Sequence, residues 1–238
     1  MQKNAFLVIE RVEASKCFTY LLAYFLFGLF PTAMLTRVTY SEELPKETPL
    51  FKENFETGIS NWELMDPDTW NLKKSDGSTT FEIVSRESAY QPKVRSPLHM
   101  AIVKEVEVDD FSLTFRVRST KDTGAHRDCC VFFGYQDPTH FYYVHLGAKP
   151  DPASGQIMIV NDAPRRPLTT NEKLIPWDDQ WHAVKLERAA KSGGIAIYFD
   201  DMDRPIMEAN DTTFGRGRFG IGSFDDMNEF DDIELFAK

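Results

Sequence analysis

The stretch FSLTFRVRS, residues 111–119, alternates cleanly: Phe111, Leu113, Phe115 and Val117 stand against Ser112, Thr114 and Arg116. A period of two sends the two sets to opposite faces, so the segment reads as a strand with one apolar and one polar face. Short apolar and aromatic runs bounded by Gly, Pro, Asp or Asn continue on both sides of it. They cover 51–55, 81–85, 101–108, 129–135, 141–146, 156–161, 182–188, 195–200, 204–210, 218–224 and 230–236. Turn chemistry separates them at Asp137-Pro138, Ser192-Gly193-Gly194 and Asp200-Asp201-Met202-Asp203. Beyond the N-terminal region no helical stripe of three or more turns interrupts the series. Many short strands without alternating helices predict an all-β sandwich or jelly roll.

The bulk composition is that of a globular chain. Of the 238 residues 42% are hydrophobic and 27% charged, with 13 Gly and 13 Pro, which excludes a disordered or collagenous polymer. Acidic side chains outnumber basic ones 37 to 27, for a formal net charge of -10. Neutralising phosphates takes clustered Lys and Arg, so no nucleic-acid partner is expected.

Residues 18–35, FTYLLAYFLFGLFPTAML, form an apolar run preceded by Lys3, Arg11 and Lys16. A basic region ahead of an apolar core reads as a secretory signal. A membrane span takes about 20 apolar residues, so an uncleaved N-terminal anchor is the alternative. The expected organisation is a leader over 1–41, a polar Pro-containing linker over 42–50 and a β-domain over 51–238. The protein is expected to be exported, and to meet a membrane only through an uncleaved leader. Removing 1–41 leaves a net charge of -12, which suits neutral or cationic partners, or acidic ones met through local Arg or bound metal. Beyond the leader the cysteines are Cys129 and Cys130. Adjacent strand residues point apart, so no disulfide joins them and the core must hold the domain. A zinc pair would need further cysteines or another spacing.

From Asp110 onward a series of motifs carries a resemblance: DFSLTFRVRS, VFFGYQDPTHFYYVHL, WHAVKLER, IAIYFDD, FGRGRFGIGSF and FDDIELF. Their order is similar to that of the concanavalin A-like lectin/glucanase superfamily, closest to its laminin-G-like and 3-keto-disaccharide hydrolase branch. The resemblance implies a jelly-roll β-sandwich of two antiparallel sheets with a concave face that often binds glycans. It does not choose a function, because this fold hosts lectins, glycosidases and lyases. The opening KENFETG, residues 52–58, followed by Trp62, resembles the first strand of many carbohydrate-binding sandwiches. That likeness implies a structural calcium held by Glu56, the Gly58 carbonyl and Asp231 or Asp232, oxygen donors that suit this ion. No organic cofactor is expected.

Two motifs are read against their context. Gly215-Arg-Gly217-Arg-Phe-Gly220 matches a dinucleotide fingerprint, but no helix opens after it, so it reads as a turn into a strand. Glu229-Phe-Asp231-Asp232-Ile-Glu234 resembles the signature of family 16 glycosidases. In a regular strand Glu229 and Asp231 share a face and Glu234 takes the other, so only a bulge would reunite them.

The candidate site is a polar cluster on three consecutive runs. His126, Arg127 and Asp128 lead into the first, Tyr143 and His145 lie on the second, and Asn161, Asp162 and Arg165 follow the third. Alternation groups Tyr142, Val144 and Leu146 toward the core and leaves Tyr143 and His145 for the concave side. Aromatic rings stack on sugars and polar tips hydrogen-bond hydroxyls, so this composition suits an oligo- or polysaccharide. Trp177 is a further loop platform, whereas Trp181 and His182 read as core. Each residue also has a structural account: Arg127 and Asp128 as a strand-end ion pair, Arg165 as a solvated loop residue. Three functions follow. The first is a glycan-binding or sugar-active domain. The second is a polysaccharide lyase, or a hydrolase of a modified sugar, with Tyr143 and His145 as proton-transfer candidates and Arg127 or Arg165 neutralising a uronate. The third is a non-catalytic adhesion module.

Overall fold

The computed structural model describes residues 48–75 and 77–238. The expected leader, and residues 42–47 of the expected linker, lie outside them. Fifteen strands occur among the described residues. In chain order they are β1 Phe51–Glu53, β2 Trp62–Leu64, β3 Trp70–Ser75, β4 Ser78–Ile83, β5 His99–Val108, β6 Phe111–Ser119, β7 Cys130–Asp137, β8 His140–His145, β9 Gln156–Asn161, β10 Arg166–Pro167, β11 His182–Ala189, β12 Gly194–Phe199, β13 Met207–Asn210, β14 Gly217–Ser223 and β15 Asn228–Ala237.

They form two antiparallel sheets. One has eight strands in the order β13-β12-β11-β6-β15-β4-β3, with β1 also paired to β15; the other has seven in the order β10-β9-β8-β7-β14-β5-β2. The alternating stretch is β6, with Leu113 and Val117 fully buried and Arg116 and Arg118 on the other side. It pairs with β11 and β15 across most of its length, in the middle of the eight-stranded sheet. Its apolar set meets Val131, Phe133, Tyr142, Val144, Ile157, Ile159, Phe219 and Ile221 of the opposite sheet in one core. Burying such a side chain contributes about 1.5–3 kcal/mol, enough to hold a sandwich without a disulfide. Cys129 and Cys130 are both free and buried.

The glycine-rich motif lies in β14 and the turn before it. A Cβ on Gly222 would stand 1.9 Å from the His99 carbonyl oxygen and one on Gly220 2.2 Å from that of Ala101. These glycines let β14 approach β5 closely, a use unrelated to phosphate binding.

A second apolar layer lies on the outward face of the seven-stranded sheet. It comprises Met100, Ile102, Cys130, Phe132, Tyr135, Phe141, Tyr143, Met158 and Val160. Residues 84–98, which connect β4 to β5, cross over it and pack Tyr90 and Val94 against it. The crossing is tied down at several points. Asp66 Oδ2 accepts from the Ser88 hydroxyl at 2.8 Å and the Ala89 amide at 2.6 Å. The Arg165 amide donates to the Arg95 carbonyl at 3.0 Å.

Candidate functional site

Alternation places Tyr143 and His145 on the outward face of the seven-stranded sheet, but that face is closed. Tyr143 is 0% exposed and its hydroxyl has no hydrogen-bond partner. Burial holds its phenol well above the ordinary value. His145 lies over Phe224, with ring centroids 5.7 Å apart. The ordering groups around Asp128 are specific: Oδ1 accepts from the Ser223 hydroxyl at 2.7 Å and the Phe224 amide at 2.9 Å. Burial alone pushes the Asp128 carboxyl up, but His145 and these donors outweigh it and hold it low. Arg165 joins this group from the β9–β10 connection, its guanidinium 4.0 Å from the Phe224 ring centroid. Asp226 lies behind Asp128, and burial followed by the Asp128 charge raises its carboxyl to about 6.

The rest of the predicted cluster disperses. Arg127 and Asp128 do not pair with each other. Arg127 is buried and bonds Asp179 and, at 3.3 Å, Asp122. His126 is exposed in a short turn. Asn161 and Asp162 are exposed, with Asp162 accepting from His140 Nε2 at 3.0 Å. Trp177 is no platform: its indole N–H donates to the Leu146 carbonyl at 2.7 Å, and its ring packs edge-on to His182 and Phe199. Tyr143 and His145, expected on an open concave face, are instead buried, Tyr143 within the layer that Tyr90 and Val94 pack against.

The residues expected to hold calcium have protein partners in this structure. Glu56 is engaged by the Thr79 amide at 2.6 Å and hydroxyl at 2.9 Å. Asp231 and Asp232 meet Arg116 at 3.4 and 2.9 Å. Gly58 stands in a left-handed turn (φ 100°) that needs no ion to explain it. Glu53, not Glu56, ties the opening turn, its Oε1 accepting from the Phe55 amide at 2.9 Å.

The outward face of the eight-stranded sheet is polar, with partly exposed Lys73 and Arg116 over buried Glu229 and Asp231. Phe230, Ile233 and Leu235 of β15 enter the core, while the register shifts between Asp231 and Glu234 and Asp232 takes a φ of 50°. That bulge returns Glu234 to the outward face that carries Glu229 and Asp231. Glu229 accepts from Lys73 on β3 at 2.5 Å and Arg118 on β6 at 2.9 Å. Burial raises the Glu229 carboxyl, and these two cations more than reverse that; Asp231 is pushed up, chiefly by burial. Trp181, expected in the core, instead lies half-buried beneath Arg116 and Arg118, at 4.9 and 5.0 Å from its ring centroid. The sequence held a signal for this. With Val184 and Leu186 inward, alternation puts His182 inward and Trp181 outward.

These layers define a jelly-roll β-sandwich of two antiparallel sheets. No family model matches the chain, and no curated protein matches it. Solved structures share its architecture at low sequence identity. The carbohydrate binding module CBM66 from Bacillus subtilis is 15% identical, with a TM-score of 0.54, 75% of this chain and 97% of that one being covered. Cellulose induced protein Cip1 is 14% identical, with a TM-score of 0.52 over 79% of this chain and 97% of that one. The GH43 BlXynB protein from Bacillus licheniformis is 11% identical, with a TM-score of 0.54; 79% of this chain matches 39% of that one.

Proposed function

We propose that this chain is an exported carbohydrate-binding domain whose ligand surface is the outward face of the eight-stranded sheet. One observation carries the choice of face: a half-buried Trp181 ring bracketed by Arg116 and Arg118 beside oriented Glu229 and Asp231. Sugars present C–H faces that stack on an indole and hydroxyl pairs that match guanidinium and carboxylate geometry. Rigid strands hold these groups in place, which lowers the ordering cost of binding. The likeness in fold to a carbohydrate binding module supports the ligand class, and the apolar run at 18–35 behind a basic region supports export.

Glycoside hydrolysis is the second reading, favoured by Glu229 and Asp231. They share a face, and their surroundings push their carboxyls in opposite directions, the pattern that separates an ionised group from a proton donor. A glycan array on the full chain, followed by product analysis on each hit, tests both readings. Binding that Trp181→Ala abolishes supports the domain assignment. Turnover lost in Glu229→Gln while binding persists would move the protein to the hydrolases, and a folded protein that retains no glycan would contradict both.

A further inference from the structure

Asp128, Cys130 and His145 are brought together where the chain enters β7 beside the end of β8. Cys130 opens β7 directly opposite His145 in the β7–β8 ladder, and Asp128 lies two residues ahead of it in the segment that leads into that strand. All three are buried, and one ligand atom from each lies within 4.8 Å of the others. Among the described residues they are the one such group of three or more metal-ligating side chains found.

The hydrogen bonds around the group leave its electron pairs turned inward. His145 Nδ1 is 3.0 Å from the Ala153 carbonyl, which can only accept, so Nδ1 carries the proton. In the neutral ring Nε2 then holds a lone pair, and it faces Asp128 Oδ2 at 3.6 Å with no hydrogen-bond partner. The two donors to the Asp128 side chain engage Oδ1 and leave Oδ2 to this contact. Two buried acceptors facing each other repel unless a proton on Nε2 or a metal cation lies between them. The Tyr143 hydroxyl is a further buried polar atom without a partner, two residues along the same face of β8. Asp226 adds negative character, its Oδ2 accepting from the Asp128 amide at 3.4 Å.

We propose that Asp128 Oδ2, Cys130 Sγ and His145 Nε2 bind one zinc-type divalent transition-metal ion. Mixed sulfur, nitrogen and oxygen donors suit zinc and its neighbours, not calcium or magnesium. Ligand atoms about 2.0–2.3 Å from a tetrahedral zinc stand roughly 3.3–3.8 Å apart, and the imidazole and carboxylate atoms are already 3.6 Å apart. The Ala153 carbonyl and the Ser223 hydroxyl orient the imidazole and carboxylate as outer-sphere partners do elsewhere. Burial keeps the Cys130 thiol protonated without a metal. Binding forms the metal–sulfur bond and releases that proton to solvent. Three protein ligands leave a fourth position for water or another donor. The site lies under Phe224 and is independent of the glycan face.

The test uses the full chain, stripped with chelator and then equilibrated with zinc or cobalt(II), both as folded protein and by refolding in the presence of the ion. The expected result is one ion per chain, a higher thermal midpoint, and a cobalt thiolate charge-transfer absorption. Cys130→Ser removes that absorption and weakens affinity at least 100-fold, whereas Cys129→Ser retains both. His145→Gln gives the same loss and covers the case in which Cys130→Ser does not fold. The proposal is overturned if neither route loads micromolar zinc. It is also overturned if the cobalt spectrum survives Cys130→Ser, or if NMR shows both nitrogens of His145 protonated in saturating zinc.

Discussion

Arg118 and Glu229 stand directly opposite each other on β6 and β15, and the guanidinium donates to Glu229 Oε2 at 2.9 Å. Lys73 reaches the other carboxylate oxygen from β3, so one buried side chain joins three strands. Both cations are partly exposed, which screens their contribution. Glu229→Gln is therefore expected to cost about 1–2 kcal/mol in urea unfolding, because a neutral amide keeps the shape and loses charge-assisted bonds. A change below a few tenths of a kcal/mol would mean the pairs contribute nothing to the fold.

His99 sets an acid limit on the tether of residues 84–98. It is fully buried, Nε2 lying 3.3 Å from the Arg86 carbonyl and Nδ1 3.2 Å from Thr69 Oγ1. Burial lowers its basicity; the Arg86 carbonyl and the charges of Asp66, Asp128 and Asp225 offset part of that. The folded protein thus binds this proton less readily than the unfolded chain. Its stability is intact above about pH 6.5, the ordinary imidazole value, and falls as pH drops from there through the folded-state value. Buried carboxylates titrate in the opposite sense, so the difference between parent and His99→Gln isolates the histidine. Urea midpoints at pH 7.5 and pH 5 are expected to converge for the pair as pH falls. A gap independent of pH would contradict this assignment.

Arg188 is a buried cation that serves the backbone. Its guanidinium donates to the carbonyls of Gly193 at 2.8 Å, Asp211 at 3.1 Å and Phe214 at 2.9 Å. Arg188→Met removes this donor from the Asp211 and Phe214 carbonyls, while the Gly193 carbonyl keeps the Asp211 amide at 3.0 Å, and is expected to cost about 3–5 kcal/mol. Arg188→Lys restores little of it, since an ammonium cannot reproduce the planar fork. Chemical denaturation of both variants measures this; parent-like stability in Arg188→Met would show that water replaces the guanidinium.

The sequence made the strands legible because period-two alternation is local. It gave β6 and β9 their bounds, and it sorted β8 into Tyr142 and Val144 inward against Tyr143 and His145 outward. What covers that outward face was not legible. Residues 86–98 fall between the expected runs 81–85 and 101–108, and nothing local says that Tyr90 and Val94 will close a sheet. The bulge in β15 is likewise a tertiary feature, fitted where its two halves pair with β4 and β1. Cys130 was passed over because ligand spacing along a chain shows nothing of cross-strand register, which sets it against His145. β2 escaped notice because its three residues offer few alternating positions, and β3 because WNLKKS is polar along most of its length.

Isothermal titration of a glycan retained on the array against the parent, Trp181→Ala and Tyr90→Ala tests the choice of face most directly. Losing a stacking ring and the arginine geometry around it is worth about 1–3 kcal/mol, or roughly 5- to 150-fold in affinity. Trp181→Ala is expected to lose binding by that factor, while Tyr90→Ala, on the connection that closes the opposite sheet, binds as the parent does. Parent-like binding by Trp181→Ala together with loss in Tyr90→Ala would contradict the assignment and return the ligand to the seven-stranded sheet.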